Sequence, residues 1–103
     1  MSSGQPITCY TEVCKEYYGS DHSYPPPGVM FVYVDEGVPK LVEFMCPCGC
    51  NRLTPIHLTR PGKKRSDHDW DYSPGPTLQP SIRLLSGCMS HFTISNGKVT
   101  LTR

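Results

Sequence analysis

The chain has 103 residues, 37% of them hydrophobic, with eleven prolines, nine glycines, six cysteines and a formal net charge of +1. That length suits one domain, 1–103, with a modest core to which a covalent or metal staple contributes usefully. The near-neutral balance gives no ground for a nucleic-acid or membrane surface, and no run approaches the roughly 20 apolar residues of a membrane-spanning helix.

The opening "MSSGQPITCY" lacks a basic stretch followed by an apolar run, so no secretory leader is read there. A reducing, cytoplasmic setting is expected, where clustered cysteines hold metal more often than they form bridges. Residues 1–27 read as an N-terminal extension to a metal-binding β core over 28–103. Prolines leave few windows for a helix. The one short helix expected is "TEVCKEYYG", capped by Thr11 and stopped by Gly19. "SYPPPG" (23–28) reads as a polyproline II connector.

Strand signals follow. "VMFVYV" (29–34) and "KLVEFM" (40–45) flank the turn-forming "DEGVP" and predict a hairpin. "PIHLTR" (55–60), "HDWDYS" and "TLQPSIRLL" read as further extended segments, and Pro80 marks an edge or a bulge in the last. At the C-terminus Asn96-Gly97 is the preferred pair for a two-residue type I′ turn. It sets Ile94 opposite Val99 and Phe92 opposite Leu101. The expected fold is mostly β, with little helix: a small metal-stapled β-sandwich or partly open barrel, with zinc-ribbon-like hairpins.

The hairpin runs into "CPCGC", where Cys46, Cys48 and Cys50 alternate too closely to bridge one another without severe strain. A second cluster, "GCMSH", holds Cys88 and His91. Packing alone poorly explains three alternating thiols plus a distant Cys-x-x-His, whereas zinc takes four thiolate or imidazole ligands in a tetrahedron. Alternation would let Cys46 and Cys48 face one centre, with Gly49 and Gly87 freeing the turns. The expected set is Cys46, Cys48, Cys88 and His91, with Cys50 as alternate ligand. A 2Fe–2S cluster is the alternative cofactor. Cys9, Cys14 and His22 form a looser second set.

These residues resemble an uncharacterised family of small bacterial and phage proteins. Its pattern is a CPCGC knuckle, a tryptophan, a TLxPSI stretch and a GCxSHFxIxxGxV ending. The resemblance covers 28–103 and matches Cys46, Cys48, Cys50, Trp70, Pro80, Ser81, Cys88, Ser90, His91 and Phe92. Asn51-Arg52 departs from the glycine or acidic residue that usually follows the knuckle. The resemblance implies a metal-binding protein, and some members stand beside bacterial ubiquitin-like conjugation genes. A looser likeness is to Rieske ferredoxins, with Cys48 standing where their first histidine would be.

Other groups read as structural. Asp67, His68, Asp69 and Asp71 surround Trp70, and are taken as solvated charges that offset Lys63, Lys64 and Arg65. The "GKKR" run lacks interleaved aromatics, so nucleic acid is not an expected partner. Ser81, Ser90 and His91 are not read as catalytic, because a metal-bound imidazole cannot act as a base. The expected function is a small zinc-binding module that docks a protein partner, in a bacterial or phage setting. A two-iron electron-transfer or redox-sensing protein and a metal-dependent hydrolase are the alternatives.

Overall fold

The computed structural model describes residues 6–19, 23–50, 52–64, 69–84 and 88–102. His22, Asn51, Arg65, Asp67, His68 and Gly87, singled out above, lie outside them. Among the described residues every regular element is a strand. One four-stranded sheet has the order β1 (Thr11–Glu16), β2 (Val29–Asp35), β3 (Val38–Met45), β4 (Leu53–His57). The other runs β5 (Asp71–Ser73), β6 (Thr77–Arg83), β7 (His91–Ser95), β8 (Lys98–Thr102). Among the described residues no helix is long and apolar enough to cross a membrane.

Apolar residues at alternate positions give each sheet one buried face. Met30, Val32, Val42, Phe44 and Ile56 from the first sheet meet Leu78, Ile82, Phe92 and Ile94 from the second in one core cluster. Phe44 and Phe92 join the layers edge to face, with ring centroids 6.1 Å apart, and Tyr10 stacks edge-on against Phe44 at 5.2 Å.

The C-terminal hairpin has the register expected, Ile94 against Val99 and Phe92 against Leu101. Asn96 and Gly97 both have positive φ, at 50° and 81°, as the turn requires. Leu101 nonetheless stays 53% exposed, because the core ends short of it.

Residues Thr11–Glu16 form no helix. They pair in parallel with Val29–Val34, where backbone bonds to β2 outweigh a weak local propensity. The described residues just before Thr11 are tied to the second sheet. Tyr10 is buried, its amide donates to Gly97 O at 2.7 Å, and Val99 N donates to Thr8 O at 2.9 Å. At the other seam Leu58 bridges Trp70. The sandwich is therefore laced along both sides, part-way to a barrel.

Candidate active site and metal centre

β3 ends at Met45 and delivers Cys46, fully buried, into a turn. Gly49 has φ 92° and its amide donates to Cys46 O at 3.3 Å, while Cys46 N donates to Arg52 O at 2.8 Å. This is a knuckle rather than a continued strand. Its curl brings Cys50 back toward Cys46, where an extended chain would have carried it away. From the other sheet, the loop between β6 and β7 brings Cys88. The sulfurs of Cys46, Cys48, Cys50 and Cys88 all lie within 4.8 Å of one another. Cys46 Sγ is 3.4 Å from Cys48 Sγ and 3.5 Å from Cys88 Sγ.

Cys46, Cys50 and Cys88 are shifted in different directions. Burial pushes Cys46 far above the ordinary thiol range, with further upward pressure from the thiols of Cys48, Cys88 and Cys50. Burial, then the Cys48 thiol, also raises Cys50. Desolvation alone would push Cys88 up too. Hydrogen bonds from the Ser90 hydroxyl and amide and from Cys46 and Cys48 outweigh it and bring Cys88 down to about 6. The Ser90 hydroxyl stands 3.1 Å from Cys88 Sγ. Such a set of soft donors suits a metal ion that displaces the remaining protons.

His91, expected as the fourth ligand, is not among these four residues, whereas Cys50, the expected alternate, is. The imidazole is engaged elsewhere: His91 Nε2 lies 2.8 Å from Ser81 Oγ. Strand parity explains the pairing. Ile82 and Phe92 are cross-strand partners whose side chains fill the core. Ser81 and His91 precede them and must project from the opposite face of the same sheet. Arg83 is the direct partner of His91, which makes Ser81 its diagonal neighbour, within reach of a long side chain. The register shift between Leu78 and Ile82, at Pro80, adds the residues that turn Ser81 toward β7. Trp70 donates its indole N–H to Ser81 O at 3.3 Å and holds the backbone behind the hydroxyl.

Sequence reasoning set this pair aside by assigning the imidazole to the metal. The available signal was parity, since both residues stand one position before a core residue. Cys9 and Cys14 belong to no metal-ligand group among the described residues: Cys9 forms a bridge with Lys98, and Cys14 pairs with Val32 in the sheet. Asp69 and Asp71 belong to none either.

No curated protein and no solved structure matches the chain. A family model does, over residues 17–102, which contain both the cysteine cluster and the Ser81–His91 pair. The chain belongs to the family described as bacterial ubiquitination-like system serine protease (BubE).

Proposed function

We propose that this chain is a zinc-stapled serine peptidase acting in a bacterial ubiquitination-like system, with Ser81 as nucleophile and His91 as general base. The observation that carries the reading is the 2.8 Å contact between Ser81 Oγ and His91 Nε2, the separation at which a hydroxyl passes its proton to a base. The family's description as a serine protease supports the same class.

With its own proton on Nδ1, His91 accepts from Ser81 at Nε2. As Oγ attacks the scissile carbonyl carbon, that proton moves to the imidazole, which then delivers it to the departing amine. The C–N bond breaks and an ester forms on Ser81. A water, deprotonated by the same nitrogen, releases the acid and restores the serine. Trp70 keeps the strand of Ser81 fixed while its hydroxyl changes partners.

The donor set fits a single zinc ion held by Cys46, Cys48, Cys50 and Cys88. Arms of about 2.3 Å make a tetrahedron with edges of about 3.8 Å, near the 3.4 and 3.5 Å between sulfurs here. Two irons and their bridging sulfides would hold opposite thiolates farther apart. Four thiolates would leave no open position, so zinc held there would supply a staple between the sheets. This also speaks against the metal-dependent hydrolase. A docking module without chemistry would have no use for a serine–histidine pair, so the expected protein partner becomes the substrate.

An alkyl fluorophosphonate tests the reading without knowledge of the natural substrate. Ser81 Oγ displaces fluoride from phosphorus, and the serine proton passes to His91. Intact-mass analysis should find one adduct on Ser81 and none on the S81A variant. His91→Gln should slow labelling by about 100- to 10,000-fold while zinc content stays at one per chain. Equal labelling of wild type and S81A would remove the assignment.

A further inference from the structure

The two sites are not independent. Ser90 is half-buried between them. Its hydroxyl is 3.1 Å from Cys88 Sγ, and Cys46 Sγ lies 3.9 Å from the same oxygen. Its carbonyl accepts from Leu84 N at 2.8 Å, which closes the end of the β6–β7 loop. The next residue is His91, in register with Arg83 and 2.8 Å from Ser81. Thus one residue touches the sulfurs with its side chain, ties the loop to β6 with its backbone and is joined covalently to the base.

We infer that Ser90 is a positioning residue that transmits the order of the cysteine cluster to His91, so that the Ser81–His91 pair is aligned when the cluster holds its ion. This rests on the peptidase reading above. The chemistry is specific. Once Cys46 and Cys88 are thiolates bound to an ion they have no proton to give, so the Ser90 hydroxyl must be the donor to sulfur. That fixes the rotamer of Ser90 and the backbone that feeds into β7. Groups that support metal ligands in this way orient them, and their loss weakens metal affinity or activity by about 10- to 100-fold.

The test uses the full chain purified with zinc. Two quantities are read for wild type, Ser90→Ala and Ser90→Thr: the rate of fluorophosphonate labelling at full zinc occupancy, and the rate of zinc loss to a chelator. Ser90→Ala should label about 10- to 100-fold more slowly with zinc still bound, and should surrender zinc faster by a similar factor. Ser90→Thr keeps the hydroxyl and should restore both rates. Labelling of zinc-loaded Ser90→Ala at the wild-type rate would overturn the inference and leave the peptidase reading intact. Failure of wild type to label at all would remove both. Should Ser90→Ala not fold, chelator titration of wild type decides the matter. Labelling and the His91 imidazole NMR signals must then change in step with zinc loss, before the β-sheet circular dichroism is lost. Labelling that survives zinc removal overturns the proposal.

Discussion

At the scale of single side chains, Ser81 Oγ lies 2.8 Å from His91 Nε2 because two adjacent strands each place a polar residue one step before a buried one. The indole of Trp70 reinforces that geometry from the backbone side. Trp70→Phe keeps most of the packing and removes the N–H. Labelling of Ser81 should slow several-fold while zinc content is unchanged, and an unaltered rate would show that the indole bond has no part in alignment. Gly97 is a different case, in which space and conformation both exclude a side chain. A Cβ there would meet Tyr10 O at 2.7 Å on a backbone with φ of 81°. Gly97→Ala should therefore lower unfolding free energy by about 1–3 kcal/mol, read from urea denaturation. A change below a few tenths would mean that the hairpin can move away from Tyr10.

At the scale of elements, the knuckle after β3 and the loop before β7 meet at four cysteine sulfurs. Cys50 belongs to the knuckle because Gly49 turns the chain back on itself. Cys50→Ser should therefore release zinc to a chelator about as readily as Cys46→Ser, and thermal melting should fall for both variants, since ion binding and folding are coupled. A mild Cys50 variant would instead restore His91 as a candidate ligand. β1 is fastened in another way. The Glu12 carboxylate accepts from the Tyr72 hydroxyl, and from Gly75 N at 2.8 Å, tying the first sheet to the end of β5. Glu12→Ala should cost about 1–3 kcal/mol by denaturant titration, with Ser81 labelling preserved in the folded fraction. Loss of labelling without loss of stability would place Glu12 in the active site instead.

At the scale of the whole molecule, two tyrosines join the layers as neutral groups. Burial pushes Tyr10 well above the ordinary phenol range, helped by the nearby charges of Cys46 and Cys48. Burial, then the hydrogen bond and charge of Glu12, raises Tyr72. A pKa raised in the folded state gives stability that is complete below the unfolded value of about 10 and declines as pH rises beyond it. The contribution of the two tyrosines to unfolding free energy should thus hold from neutrality to about pH 9.5 and fall above about pH 10. Absorbance of phenolate would report Tyr10 and Tyr72 ionising together with unfolding, and a flat profile to pH 11 would contradict this. Much of the β architecture was legible because its signals are local: alternation over Val29–Met45, the Asn96-Gly97 turn, and Pro80 marking the bulge of β6. The cysteines that gather were also marked by their spacing. Thr11–Glu16 was not legible as a strand, since its pairing with β2 is a property of two distant segments. The sequence by itself determined a β-rich chain with clustered thiols and a Cys-x-x-His. Only the tertiary structure brought Cys50 into the cluster and set His91 Nε2 beside Ser81 Oγ. Spacing names the groups that can bind, whereas the direction in which each side chain leaves its strand selects which partner it meets.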